Sequence, residues 1–82
     1  MEILPIHSEI VAYLKKHNLK DKFNKQLRLL RNDLRHPSLG VELLEPKNLR
    51  FFSFRVDKKY RAIFIFHNRE IIEIIDVNNH YR

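Results

Sequence analysis

The fold is decided by residues 49–82, LRFFSFRVDKKYRAIFIFHNREIIEIIDVNNHYR. Two runs rich in aromatic and β-branched residues, 49–56 and 60–66, flank the polar sequence Asp57-Lys58-Lys59. This pattern predicts a β-hairpin whose loop is formed by those three residues. A third apolar run, 71–77, extends the predicted meander after a turn at 67–70 and leads to a polar segment at 78–82.

The hairpin register sorts side chains onto two faces, because successive residues of a strand point to opposite sides. One face is apolar and is expected to enter the core: Phe52, Phe54, Val56, Tyr60, Ala62 and Phe64. The other face carries Phe51, Ser53, Arg55, Arg61, Ile63 and Ile65. Arg55 and Arg61 stand opposite each other, and opposed like charges are unfavourable unless a negative group lies between them. The pair therefore indicates a phosphate-binding site, and the structural alternatives are a strand edge that aids solubility or salt bridges to Asp57 and Glu73.

Two helices are predicted in the first half of the chain. Ser8 is a suitable N-cap for a helix over 9–17, and a second helix over 21–35 has an apolar stripe opposite a basic face. The His36-Pro37 sequence ends it. Residues 38–46 form either a connection or a short strand, and 2–7 a short first strand. The sequence thus predicts an α+β fold, β-α-α-β-β-β, with two helices on one face of a small, mainly antiparallel sheet.

Length and composition limit the classes of protein to consider. A chain of 82 residues is expected to be a single domain, 1–82, with function in a surface groove. The absence of cysteine excludes disulfides, a thiolate nucleophile and cysteine-type zinc sites. No run approaches the ~20 apolar residues of a membrane span and no signal peptide is visible, so we expect a soluble, cytoplasmic protein. A net charge of +6 favours a polyanionic partner over a merely solubilising surface.

Most catalytic motifs are missing from the sequence. There is no phosphate-binding glycine loop, no H-E-x-x-H and no pair of histidines four residues apart, so neither a metal nor a cofactor is expected. The serines lie in no nucleophile-elbow context. The remaining cations, carboxylates and the His80-Tyr81 sequence suit RNA cleavage, because the RNA 2′-hydroxyl is itself the nucleophile and the protein supplies a base, an acid and positive charge.

The order of these elements, with H-P-S-L at 36–39, Y-R-A-I-F at 60–64 and N-N-H-Y-R at 78–82, resembles the RelE/ParE toxin superfamily. Within it the chain looks most like the RelE and YoeB type of mRNA interferase toxins of type II toxin–antitoxin systems. The resemblance covers nearly the whole chain. It implies a ribosome-dependent endoribonuclease that cuts mRNA in the decoding site and is inhibited by an acidic antitoxin wrapped around it.

The resemblance also implies roles for individual residues. Arg61 would stabilise the scissile phosphate, and Arg55 would be a second basic residue on the neighbouring strand. Glu42 falls where the YoeB type has its general base. His80 would be the general acid, and Tyr81 would stack on a base or assist proton transfer.

Some residues depart from the family pattern and leave alternatives open. Phe51-Phe52 stands where many relatives have tryptophan, and the lysine cluster of the RelE type is not reproduced, although Lys47 lies nearby. From the residues alone, Glu42 can be a glutamate that solvates a loop and His80 an ordinary surface histidine. The alternative functions are a gyrase inhibitor, as in the ParE branch, and a non-catalytic nucleic-acid-binding module.

Overall fold

The computed structural model describes residues 1–80 and contains a five-stranded sheet and two helices. The strand order is β1-β5-β4-β3-β2, and every pairing is antiparallel except β1 with β5. The elements are β1 (Glu2–Ile3), α1 (Ser8–Lys16), α2 (Lys20–Asn32), β2 (Glu42–Leu43), β3 (Phe52–Arg55), β4 (Arg61–Asn68) and β5 (Ile71–Asn78). The predicted α+β fold is confirmed, and the segment 38–46 contains a short strand, β2.

The β3–β4 hairpin has the predicted register. Phe52 pairs with Phe64 and Arg55 with Arg61. The apolar face packs on α2, where Phe23 lies with its ring centroid 6.1 Å from that of Phe54. Phe23, Phe54 and Phe64 are at most 1% exposed, and full burial of each such side chain stabilises the fold by roughly 1.5–3 kcal/mol. This packing directs the opposite face of the hairpin, with its two arginines, away from the core.

Both helices begin and end differently from the prediction. His7, not Ser8, is the N-cap of α1, and it makes no side-chain capping bond. Helix α2 ends at Asn32, three residues before the predicted end. Asp33 has an extended backbone, and its Oδ1 accepts the Arg35 N–H at 3.0 Å. This side-chain hydrogen bond of Asp33 to a backbone N–H two residues later competes with continuation of the helix. The helix therefore ends before His36-Pro37.

The turn between β4 and β5 is also shorter than the sequence indicated. Asn68 Oδ1 accepts the N–H groups of Glu70 and Ile71 at 2.8 and 3.0 Å and closes a tight turn. His67 therefore lies in β4 and not in the turn. Within residues 1–80, no helix has the length and apolar character needed to cross a membrane.

Candidate functional site

Arg55 and Arg61 face each other across the β3–β4 ladder, at the end that adjoins the hairpin loop. Arg55 is exposed, whereas Arg61 is only 9% exposed. The salt bridges considered as an alternative are not formed, because Asp57 pairs with Lys22 and Glu73 with two histidines. Among the described residues neither guanidinium has a carboxylate within salt-bridge distance. The two positive charges are therefore left for an anion from outside.

Arg61 is held by acceptors inside the protein. Its Nε donates to Ser53 Oγ at 2.9 Å, and its Nη2 donates to the carbonyl of Gly40. Ser53 is fully buried on the neighbouring strand. Because hydrogen bonds from a charged donor are strong and directional, these contacts fix the plane of the guanidinium before any ligand binds.

Gly40 brings the two guanidinium groups together. It has a left-handed backbone, with φ 50° and ψ 48°, which glycine adopts without a steric penalty. A Cβ atom at this position would lie 3.4 Å from Arg55 Nη2 and 3.8 Å from Arg61 Nη1. The only glycine of the chain thus provides the turn beside which the two guanidinium groups lie.

Gln26 of α2 positions the same region from the core side. Its side chain is buried, and Nε2 donates to the carbonyl of Ser38 at 3.1 Å and to that of Arg55 at 2.8 Å. The amide therefore ties the loop before Gly40 and the end of β3 to one helix. This role of Gln26 was not predicted from the sequence, although a glutamine beside Leu27 on the apolar stripe of α2 indicates a buried polar group.

The electrostatics of the pair depend on burial and on Glu42. Burial is the largest influence and lowers the pKa of Arg61, the Glu42 carboxylate opposes this effect, and the charge of Arg55 lowers the pKa further. Glu42 pairs with Ser53 across the β2–β3 ladder, so its side chain shares a face with Ser53 and the two arginines. The structure thus brings three of the five predicted site residues to one face.

His80 lies in a neighbouring cleft. The cleft has a volume of about 410 Å³ and separates the end of β5 from α1, with Tyr13, Asp76 and Asn78 among its lining residues; among the described residues neither arginine lines it. The backbone N–H of His80 donates to Asn78 Oδ1 at 3.1 Å, and Asn78 is the β5 partner of Arg61. His80 therefore lies two positions after Asn78, the residue that pairs with Arg61. The predicted stacking residue Tyr81 lies outside the described residues.

Comparison with known proteins agrees with this architecture. A YoeB/ParE toxin from Agrobacterium tumefaciens superposes with a TM-score of 0.69, at 17% identity over 99% of this chain and 100% of that one. The YoeB-YefM complex from Staphylococcus aureus gives a TM-score of 0.70, at 19% identity over 99% of this chain and 98% of that one. This chain therefore has the same fold as these two proteins.

The sequence itself matches a family of toxins. Residues 7–80 match the model of the RelE-like toxin of type II toxin-antitoxin system HigB, and the chain belongs to this family. The resemblance to the RelE/ParE toxin superfamily noted from the sequence is confirmed. An uncharacterized protein of Haemophilus influenzae is 49% identical over 41 residues, which cover 49% of this chain and 41% of that protein. The matched segment thus spans about two fifths of that relative's length.

Proposed function

We propose that this toxin is an endoribonuclease that cleaves mRNA on the ribosome, with the RNA 2′-hydroxyl as nucleophile and without a metal or cofactor. The observation that carries the proposal is the convergence of Arg55 and Arg61 beside Gly40. Two guanidinium groups on one small surface, without a salt-bridged carboxylate among the described residues, suit a single backbone phosphate.

The reaction is an internal transesterification. The 2′-oxygen forms a bond to phosphorus while the bond from phosphorus to the 5′-oxygen breaks, which leaves a 2′,3′-cyclic phosphate and a 5′-hydroxyl. Negative charge accumulates on the non-bridging oxygens in the transition state. Donors fixed in advance stabilise that charge without reorganisation, and Arg61, held by Ser53 and Gly40, meets this condition.

Two proton transfers accompany the bond changes. In our proposal Glu42 accepts the proton of the 2′-hydroxyl, and its position on the face of Arg61 supports that role. His80 protonates the 5′-oxygen, since imidazole groups exchange protons near neutral pH. The backbone hydrogen bond of His80 to Asn78, the strand partner of Arg61, supports a position for His80 close in the chain to the arginine pair. Tyr81 stacks on a base next to the cleaved bond, which contributes ~1–3 kcal/mol to RNA binding.

The proposal is tested with purified protein and ribosomes translating a defined message. Primer extension maps the new 5′ ends. We expect Arg61→Ala to reduce the cleavage rate by about 100-fold or more, because it removes a fixed donor from the transition state. Arg55→Ala and His80→Ala should also reduce it. The matched control is Arg31→Ala on the exposed face of α2, which should cleave normally.

Two results would contradict the ribonuclease proposal. Intact messages combined with growth arrest and trapped DNA gyrase would replace the nuclease with gyrase inhibition. Intact messages and no toxicity would leave a nucleic-acid-binding module. Circular dichroism of each variant establishes that the fold is retained.

We also propose that an acidic antitoxin inhibits the protein. Family membership and the net charge of +6 support this partner, as does the Staphylococcus aureus neighbour, a heterotetrameric complex of YoeB with YefM. Co-expression with a short acidic protein encoded beside the toxin should restore growth, and the two should co-purify. Growth arrest that persists despite co-expression of the neighbour would exclude that neighbour as the antitoxin.

A further inference from the structure

Phe51 has an aromatic ring that the fold leaves exposed. Its side chain is 39% exposed, and it is the one aromatic residue among the large apolar side chains exposed in residues 1–80. Within the same residues no other ring stacks on it or meets it edge to face. A single exposed ring is ordinary on a protein surface, so its meaning depends on what lies beside it.

The ring lies on the sheet face that carries the arginine pair. The Phe51 carbonyl accepts the N–H of Leu44 at 2.8 Å, which continues the β2–β3 ladder by one residue beyond the pair Leu43–Phe52. The backbone is therefore still extended at position 51. Because side chains alternate along an extended strand, residues 51, 53 and 55 point to the same side of the sheet.

Rows of side chains cross this face from one strand to the next. The row nearest the hairpin loop contains Arg55 and Arg61, the next contains Glu42 and Ser53, and the third contains Phe51 with Leu44 beside it. A strand advances by about 3.3 Å per residue, so Phe51 lies about 13 Å from Arg55 along β3. The carboxylate proposed as the general base thus lies between the arginine pair and the aromatic ring.

The order of these rows is the order of the groups in one nucleotide. The phosphate on its 3′ side, the ribose with its 2′-hydroxyl and the base follow one another, and together they span a length similar to the separation of Arg55 and Phe51. When the cleaved phosphate lies on the arginines, the attacking 2′-hydroxyl faces Glu42. The base on that ribose then reaches the third row.

We infer that Phe51 is a stacking site for the base of the nucleotide that supplies the attacking 2′-hydroxyl, on the 5′ side of the cleaved bond. This inference rests on the proposed ribonuclease function and adds a binding residue to it. Every base has a flat π-face, so the ring accepts the nucleotide without selecting its sequence. Holding the base limits the motion of the ribose and keeps the 2′-oxygen near the phosphate.

An apolar protein segment is the competing occupant of an exposed ring. RNA is favoured because the ring shares its face with two arginines that form no salt bridge with a described residue, and with a carboxylate at the row of the attacking hydroxyl. An apolar segment would use neither the cations nor the carboxylate.

The test is a double-mutant cycle between the ring and the base. Primer extension first maps the cleaved bond on a translated message. Ribosomes are then programmed with the same message carrying a 2′-deoxynucleotide 5′ to that bond, which cannot be cleaved because it lacks the nucleophile. A second message carries an abasic deoxyribose at that position. Binding of the toxin, labelled at its N-terminus, is measured by fluorescence anisotropy.

Removal of the base should weaken binding of the wild-type protein by about 5- to 100-fold, the range expected for one stacked base. Phe51→Ala should bind both messages equally and as weakly as the wild type binds the abasic one. Phe51→Trp should bind like the wild type because it keeps a flat ring, whereas Phe51→Leu should behave like Phe51→Ala. The control is Leu49→Ala, which removes another exposed apolar side chain and should keep the wild-type response to the abasic message.

Three results would overturn the stacking site. The first is additive losses from removing the ring and the base, and the second is coupling to the nucleotide 3′ of the bond instead. The third is a Phe51→Leu protein as sensitive to base removal as the wild type, which would leave only a general apolar contact. In each case cleavage by the wild type still supports the ribonuclease proposal. Messages left intact by the wild type would overturn both together.

Discussion

Arg61 donates from Nε to the buried hydroxyl of Ser53 across the β3–β4 ladder, at 2.9 Å. This bond fixes the arginine from within the sheet, so the direction of its guanidinium does not depend on a ligand. The Gly40 carbonyl accepts a further hydrogen bond from Arg61, and the charge of Glu42 offsets part of the repulsion from Arg55, which stands opposite Arg61. The two arginines are therefore in position before an anion binds, and folding, not binding, overcomes the repulsion between them.

Ser53→Ala should lower both stability and cleavage. It removes the acceptor of a buried charged donor, and such losses cost roughly 1.5–3 kcal/mol. Urea unfolding measures the stability change, and the ribosome assay measures cleavage. Ser38→Ala is the control, since that hydroxyl is exposed and should change stability by less than about 0.5 kcal/mol. A Ser53→Ala protein with unchanged cleavage would show that Arg61 does not need this bond.

Substitutions of Gly40 separate backbone strain from crowding. Gly40→Ala should destabilise the fold by about 1 kcal/mol or more, because φ is 50° there. Asparagine tolerates that backbone better, and its Cβ would lie at ordinary contact distance from both guanidinium groups. We expect Gly40→Asn to unfold at higher urea than Gly40→Ala and to retain RNA cleavage. Loss of cleavage by a folded Gly40→Asn protein would show that the arginines need the open space beside Gly40.

Gln26→Met tests the link between α2 and the candidate site. Methionine has a similar side-chain volume but no N–H group. The carbonyls of Ser38 and Arg55 therefore lose the hydrogen bonds that Gln26 Nε2 donates to them. A loss of roughly 1–3 kcal/mol is expected from urea unfolding, with weaker cleavage because the loop before Gly40 loses its anchor. The control is Asn24→Met on the exposed side of α2. Equal stability of the two variants would contradict the structural role of Gln26.

The pH dependence of Glu73 should follow from its two histidine partners. Hydrogen bonds from His67 and then His7, at 2.7 and 2.6 Å, lower the pKa of Glu73 below its ordinary 4.5. The folded state thus favours the carboxylate, so its stabilising contribution is present above pH 4.5 and is lost as the pH falls through the lowered pKa.

A carboxyl-carbon NMR titration measures this effect directly. His67→Ala and His7→Ala should each move the pKa of Glu73 back toward 4.5, and His36→Ala should leave it in place, because His36 contacts Ser38 instead. A Glu73 titration that does not change in either of the first two variants would exclude the histidines as the cause.

The hairpin was predictable because its signals are local. Alternation of apolar and polar residues gave the register, and the register alone placed Arg55 opposite Arg61. The apolar stripe through Phe23 and Leu30 likewise located α2. These features depend on residues close together in the chain, so the sequence pattern was sufficient.

The remaining features depend on contacts between distant residues. The burial of Arg61 depends on the Gly40 carbonyl, 21 positions away in the chain, and the Gln26 bridge reaches a carbonyl 29 positions away. Helix α2 ends at Asn32 because the Asp33 carboxylate accepts a backbone hydrogen bond from Arg35. This local bond prevails although the apolar pattern of the sequence continues as in a helix. The position of His80 relative to the arginines depends on the path of the chain after β5, which periodicity does not describe.

The side chains between α1 and the hairpin loop also provide an optical reporter. The His17 ring lies 4.2 Å from Tyr13 and 5.6 Å from Tyr60, measured between centroids, and the Tyr60 hydroxyl lies 3.2 Å from His17 Nδ1. The chain has three tyrosines and no tryptophan, so its intrinsic fluorescence comes from tyrosine alone. Tyr13 and Tyr60, two of the three tyrosines, lie beside the His17 imidazole. The emission intensity therefore reports whether α1 is packed against the hairpin, without any added dye.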